Sequence, residues 1–228
     1  MNTDEFIALA LKEAQSPQFG TTEQILSVHT LVKDDGNKIA ISRVDTIRDK
    51  DVVYIYFPLR DKIKSRIQDY YLVVVLRKNE KDIWEMSASY IEAKTRVSLV
   101  IISDNLSPED ISKRVQLIPT RLVHKGETYP WNRNKVSKDN QWIFEPQKDM
   151  PEELGIKMEY LLKKLAPVEI NIASLPDDVY KCINICSAGY QEWMSGFHFS
   201  QSQLNRIAIL KVELDFDLYA SGPEMKDS

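Results

Sequence analysis

The feature that most constrains the fold is the segment 103–119, SDNLSPEDISKRVQLIP, which holds both the start and the stop of a helix. Ser107 is a predicted N-cap and Pro108 fits the first helical position. Pro119 disfavours the α conformation at Ile118, so the helix must end there. Strand-like runs lie on both sides of this short helix. The segment therefore predicts a chain in which helices and strands follow one another.

The first 94 residues are predicted to form a β-rich N-terminal domain. Asn2 and Glu5 have the spacing of a capping box, which predicts a helix through about Gln15. The turn sequence DDGN at 34–37 predicts a hairpin. The predicted strands are 25–32, 38–44, 52–57, 70–76 and 83–88. Residues 1–94 thus read as one helix followed by a curled antiparallel sheet.

Residues 95–228 are predicted to form a second domain with the order β-α-β-β-α-β-β-α-β. The helices are predicted at about 107–117, at 150–165, and after a cap at Ser200. The predicted strands are 96–103, 121–124, 142–144, 179–187, 194–199 and 212–219. This order predicts a ferredoxin-like α/β sandwich with the helices on one face of an antiparallel sheet. The predicted fold class of the whole chain is α+β.

Composition disfavours a nucleic-acid-binding or membrane protein. The net charge is −4 and the isoelectric point is about 5.5, whereas general nucleic-acid binding needs a basic footprint. The start of the chain lacks the basic and apolar regions of a signal peptide, and the longest apolar run, 72–76, is too short to span a bilayer. We expect a cytoplasmic protein.

The cysteines and histidines give no metal or cofactor signature. Cys182 and Cys186 lie in a predicted strand, where this spacing separates them by about 13 Å. A disulfide needs Cα atoms within about 7 Å, so the pair is interpreted as packing residues. His29, His124 and His198 lack the spacing of zinc ligands. We predict no metal site and no cofactor.

The last predicted strand carries an acidic ladder. Glu213, Asp215 and Asp217 alternate with apolar residues, so the three carboxylates share one face. Such a face is ordinarily the solvated side of a half-covered sheet. It could also bind a basic partner or a cation. Acid–base chemistry is geometrically allowed too, because hydrolytic carboxylate pairs stand about 5–9 Å apart.

The loop 121–138 is the main candidate for a partner-binding surface, because it mixes basic and aromatic residues. A solvated hairpin is one interpretation. A protein hot spot is another, and single-stranded nucleic acid a weaker third. Trp193, in a predicted turn, would be a second anchor if exposed. The candidate binding residues are Arg121, Lys125, Tyr129, Trp131, Arg133, Lys135 and Trp193.

Several short motifs, in this order and spacing, resemble the bacterial domain of unknown function 4279 family over about residues 95–222. They are SDNLSPEDI, IPTRLVHKG, QWIFE and ELDFDLYASG. The N-terminal part resembles a β-rich domain found beside it in related proteins. The resemblance implies no activity, but such small bacterial proteins are often associated with immunity to toxins.

These observations predict a non-enzymatic protein-binding protein of immunity type, which masks a toxin or another protein partner. One alternative is a hydrolase or other enzyme that uses the ladder carboxylates with His198 or His124. A second alternative is a structural or regulatory domain that self-associates. The sequence leaves the oligomeric state open.

Overall fold

The computed structural model describes residues 2–129, 132–147, 150–191, 193 and 196–224, with only the backbone for residues 129, 132 and 133. Within these residues the protein is α+β, as predicted. The helices are α1 (Thr3–Gln15), α2 (Gly20–Val28), α3 (Pro108–Val115), α4 (Leu154–Leu165), α5 (Glu169–Ala173) and α6 (Gln201–Leu210), with a 3-10 turn at Ala166–Val168. The strands are β1 (His29–Leu31), β2 (Arg43–Asp49), β3 (Val52–Asp61), β4 (Ile67–Lys78), β5 (Trp84–Ser103), β6 (Arg121–Val123), β7 (Thr128–Tyr129), β8 (Asn132–Val136), β9 (Asn140–Phe144), β10 (Tyr180–Tyr190) and β11 (Glu213–Ser221).

The helix-start signals of the sequence are confirmed. Asn2 and Glu5 form a reciprocal capping box at α1, in which each side chain accepts a hydrogen bond from the other residue's N–H. Ser107 caps α3, with Pro108 in its first turn. A second capping box opens α6 at Ser200. In all three cases short-range side-chain chemistry fixes where the helix begins.

The 20-residue strand β5 joins the two parts of the sheet. Its first part pairs with β4, which continues through β3 to β1 and β2. Its second part lies between β9 and β10, and gives the strand order β6-β9-β5-β10-β11. The sheet is mostly antiparallel, but β10 and β11 are parallel. The crossover through α6 explains this pair, because parallel neighbours need such a connection.

The predicted domain boundary at 94/95 falls inside β5, so the two strands predicted at 83–88 and 96–103 are one. A separate core nevertheless lies on each side of it. In the first, α1 and α2 pack on β3 and β4; in the second, α3 to α6 pack on β5, β9 and β10. The division into domains 1–94 and 95–228 and the ferredoxin-like assignment both remain predictions.

Three predicted strands differ from the structure. The first half of the segment 25–32 is helix, because α2 buries Thr22, Ile25 and Val28 at helical spacing against the sheet. Residues 29–31 do form a strand, β1. The Thr22 hydroxyl also donates to Ser89 Oγ at 2.7 Å, a tertiary contact that strand propensity does not foresee. The strand predicted at 38–44 begins only at Arg43, as β2. Of the strand predicted at 194–199, residues 196–199 are irregular, and 194 and 195 lie outside the described residues.

The C-terminal sheet has one face covered by helices and one open face. Along β5, Val97, Leu99 and Ile101 point into the core beneath the helices, beside Ile183 and Trp142 of the neighbouring strands. The alternate residues of the same strands therefore point to the other side. Across the part of the chain that the structure describes, no helix has the length and apolar character needed to cross a membrane.

Candidate functional site

The predicted acidic ladder lies on the open face. In register, Glu213 stands beside Cys182, Asp215 beside Asn184 and Asp217 beside Cys186. All three carboxylates belong to β11, and all three residues are exposed. Within the described residues no ion pair neutralises them. Among the described residues, one side chain donates a hydrogen bond to the ladder: Asn184 Nδ2 donates to Asp217 Oδ2 at 2.9 Å.

The strand that carries the ladder ends the sheet. β11 follows β10 as the last strand in the order, and every one of its residues except Leu214 is exposed. Phe216 is 40% exposed, Leu218 52% and Tyr219 57%, although such side chains are normally buried. We call this strand, with its three carboxylates, the acidic edge. It offers charge, apolar surface and an unpaired backbone in one place.

The loop 121–138 lies at the opposite side of the same sheet. It contains β6 and the small hairpin of β7 and β8, and β6 stands at the other end of the strand order β6-β9-β5-β10-β11. Four strand spacings of about 4.8 Å separate β6 from the acidic edge by roughly 19 Å. The two candidate surfaces are therefore separate from one another.

The candidate residues of the loop differ in what the structure says of them. Lys125 donates to Asp104 Oδ1 at 2.7 Å, so its charge is already paired. Arg121 and Lys135 are exposed, and each takes part in an interaction with the protein. Trp131 and the side chains of Tyr129 and Arg133 lie outside the described residues.

Trp193 lies at the end of β10, the strand next to β11. It is 40% exposed and forms a bridge with Tyr190, whose other partner in register is Ser221 at the end of β11. Trp193 is therefore one strand away from the ladder strand, and it is not part of the loop 121–138.

The histidines sit in three different environments. His124 Nε2 lies 3.0 Å from Glu109 Oε1, and its Nδ1 lies 3.6 Å from Glu127 Oε2. The hydrogen bond with Glu109 raises the pKa of His124, because it favours the charged imidazolium. Burial lowers the pKa of His29, which contacts the Tyr70 hydroxyl at 2.8 Å. His198 is exposed in an irregular segment.

The cysteines and the acids form no metal centre in the described part of the chain, where no group of three His, Cys, Asp or Glu side chains could hold an ion. Both cysteines are free thiols. Burial raises the pKa of Cys182 and of Cys186. A raised pKa leaves the thiol protonated and weakly nucleophilic, which fits the interpretation of packing residues.

Sequence reasoning missed a buried charge network between the two parts of the sheet. On one side of it, Arg48 Nη2 lies 3.0 Å from Glu92 Oε1, and the hydroxyls of Tyr56 and Tyr90 donate to Glu92 Oε2. Burial lowers the pKa of Arg48, but Glu92, Tyr56 and Tyr90 together outweigh burial, so the pKa is raised. Burial and Glu92 raise the pKa of Tyr90 as well. Arg48 therefore stays charged and both tyrosines stay protonated at neutral pH.

On the other side, Glu152 joins three elements. Its Oε1 lies 3.1 Å from Arg43 Nη1 and its Oε2 lies 3.0 Å from Lys157 Nζ. Its Oε2 also accepts a 2.9 Å hydrogen bond from the N–H of Thr95, while Lys157 donates to the Thr95 carbonyl. Thr95 lies in β5 between Ala93, the last residue paired with β4, and the first residue paired with β9. The ion pair thus takes the place of a neighbouring strand at this point.

Two clefts flank this network. One has a volume of about 220 Å³ and contacts Arg48, Glu92 and Glu153. The other has a volume of about 390 Å³ and contacts Lys157 and Gln147. The acidic ladder lines neither of them. One signal in the sequence points to the network: Lys157 occupies a position in the apolar stripe of α4, where a lysine is out of place unless its charge is paired.

These features define the class of protein: an α+β chain whose C-terminal sheet has one helix-covered face, one open face and an exposed acidic edge. The sequence model described as Domain of unknown function (DUF4279) matches residues 93–221, which is more than half of the chain. The chain belongs to this family, as the resemblance predicted. The matched residues run from β5 to the end of β11. No curated protein and no solved structure matches the chain.

Proposed function

We propose that the protein is a non-enzymatic protein-binding protein whose acidic edge binds a basic partner. The observation that carries the proposal is the exposure of three carboxylates on the terminal strand of the sheet, where no countercharge from the described residues pairs with them. Charge complementarity steers partners together and selects among them. In this chain the complementary partner surface is basic.

The geometry supports binding over catalysis by the same carboxylates. General acid–base chemistry needs groups that converge on one substrate in a sheltered pocket. The ladder carboxylates stand in a row on an exposed strand. His124 is paired with Glu109 beside β6, at the far side of the sheet. A charged row beside exposed aromatic residues is instead typical of a docking surface.

The biological role that fits this surface is that of a bacterial, cytoplasmic protein of immunity type. Such a protein binds a toxin or another protein and covers its basic surface. Each exposed ion pair contributes about 0.2–1 kcal/mol. Three such pairs would strengthen binding by roughly 3- to 150-fold, since 1.4 kcal/mol is about a factor of ten. The ladder therefore selects the partner, and apolar burial supplies most of the affinity.

Co-purification from the native host, followed by mass spectrometry at moderate salt, tests this function. The tagged wild type is compared with the ladder variant Glu213→Gln/Asp215→Asn/Asp217→Asn, which keeps side-chain size and removes only charge. The control is Arg121→Gln/Lys135→Gln, which changes charge at the opposite edge.

We expect one stoichiometric basic protein with the wild type and with the control, and its loss from the ladder variant. Loss from the control alone would place the interface on the loop 121–138 and refute the proposal. A dimer of the chain in place of a second protein would favour the self-associating domain. Hydrolytic activity abolished by the ladder variant would favour the enzyme.

A further inference from the structure

The backbone of the acidic edge has a fixed direction. The N–H of Gln191 donates to the Ser221 carbonyl at 3.0 Å, so Ser221 turns its backbone groups toward β10. The register between β10 and β11 is unbroken from Glu213 to Ser221. Because backbone groups alternate between the two edges of a strand, the groups of Leu214, Phe216, Leu218 and Ala220 point away from β10. Within the described residues no strand pairs with this outer edge.

The side chains beside that outer edge differ between its two faces. On the open face, the carboxylates of the ladder recur at every second residue. On the other face, Phe216 and Leu218 are about half exposed at the rim of the helix layer, and the Phe216 ring lies 6.0 Å from that of Phe197. A strand placed next to β11 would set its side chains about 5 Å from these groups. Such a strand fits when its basic residues face the ladder and its apolar residues face the rim.

A second copy of this chain does not meet that requirement. If β11 paired with the β11 of another copy, the two acidic ladders would lie side by side on the same face of the sheet, or each ladder would lie beside the apolar rim of the other copy. Like charges directly opposite one another destabilise a strand pair, and charged edges resist this kind of association. The ladder therefore disfavours pairing with a second copy of β11 and favours pairing with a basic strand.

We infer that β11 binds its partner by strand addition, and that the bound segment is an extended stretch of another protein in which Lys or Arg alternates with apolar residues. The inference rests on the proposed function and specifies how the partner is held. In this mode, backbone hydrogen bonds to the outer edge hold the segment, and the alternating side chains select it.

The test uses a synthetic nine-residue peptide that alternates lysine and valine. One control peptide carries glutamate in place of lysine. A second control is N-methylated at alternate residues, which removes the donors on one edge but keeps every side chain. Binding is measured by titration, and hydrogen exchange is followed at the outward amides of Leu214, Phe216, Leu218 and Ala220.

We expect the lysine peptide to bind, to slow exchange at these four amides, and to bind at least about tenfold more tightly than either control peptide. In the protein, Leu218→Pro removes one outward N–H without removing a hydrogen bond to β10. Leu218→Ala removes the same side chain but keeps the N–H. Only the proline variant should lose binding by about tenfold relative to this matched control.

The outcomes separate the inference from the function on which it rests. If the host partner depends on the ladder but the outward amides exchange unchanged in its complex, strand addition is wrong and the binding function stands. If the partner is insensitive to the ladder as well, both fail. Equal binding by the proline and alanine variants would also overturn strand addition. The exchange measurement on the wild type decides the question even if the proline variant does not fold.

Discussion

Replacing Glu152 by glutamine should destabilise the protein by about 3 kcal/mol, because it removes the carboxylate that joins the buried Lys157 to the partly buried Arg43. The Glu152 side chain is 5% exposed and that of Lys157 is 3% exposed, so water cannot replace the lost charge. Arg43 loses the same partner. The amide keeps the size of the side chain and one acceptor oxygen, which places the expected cost at the lower end of the range for broken buried pairs, about 3–5 kcal/mol.

The companion variant Lys157→Met should cost less, about 2 kcal/mol. Glu152 then keeps Arg43 and the Thr95 N–H, and the main loss is the hydrogen bond to the Thr95 carbonyl. Glu153→Gln is the matched control, since Glu153 is 50% exposed and lies 3.4 Å from Arg48. We expect a change within about 0.5 kcal/mol for this control.

Urea unfolding, followed by circular dichroism, measures all of these free energies. The double variant Glu152→Leu/Lys157→Met tests the reasoning most severely. An isolated buried ion pair can often be replaced by apolar residues at no cost. Here the N–H and C=O of Thr95 would both lose their partners, at about 1–3 kcal/mol each. A double variant as stable as the wild type would refute the idea that the ion pair takes the place of a strand. An equal loss of unfolding free energy in the Glu152 and Glu153 variants would refute it as well.

Three further predictions concern the rest of the fold. The pKa of His124, measured by NMR, should lie above its ordinary value of 6.5 and fall toward that value in the variant Glu109→Gln. Because the pKa is higher in the folded state than in the unfolded state, the contribution of His124 to the stability of the fold is complete below about pH 6.5 and is lost as the pH rises through the folded pKa. Ser112→Ala should destabilise the protein by about 1–3 kcal/mol in urea, because it leaves the buried Trp142 Nε1–H without its 3.0 Å partner, and an unchanged midpoint would contradict this. Gly222→Ala should lower the melting temperature, because Gly222 has a φ of +124° and an added Cβ would clash with tyrosine side chains; an unchanged temperature would show that the chain end does not pack there.

Local chemistry made much of the fold predictable from the sequence. The caps at Asn2, Ser107 and Ser200 each act within four residues, so the sequence alone locates the starts of α1, α3 and α6. The alternation in β11 likewise predicted which residues share a face. In the strand predicted at 25–32, residues 29–31 do form β1, but residues 25–28 are helical for the opposite reason. Its β-branched residues favour a strand, but tertiary burial of one helical stripe outweighs that propensity.

The site was only partly predictable. The ladder is a short-range pattern, so the sequence alone predicts that its three carboxylates share one face. Its distance from the loop 121–138 depends on strand order, which pairs β6 with β9 rather than with the ladder strand. The buried network depends on still longer separations, since Arg43 and Glu152 are 109 residues apart. The sequence signal for this network is Lys157, a charged residue in the apolar stripe of α4.

The affinity of the co-purified partner for three proteins, compared side by side, tests the central claim most directly. The proteins are the wild type, the ladder variant at Glu213, Asp215 and Asp217, and the control at Arg121 and Lys135. We predict that the dissociation constant of the ladder variant is larger than that of the wild type by roughly 3- to 150-fold. The constant of the control should stay within about twofold of the wild type. The reverse order, or equal constants for all three proteins, would contradict an interface at the acidic edge.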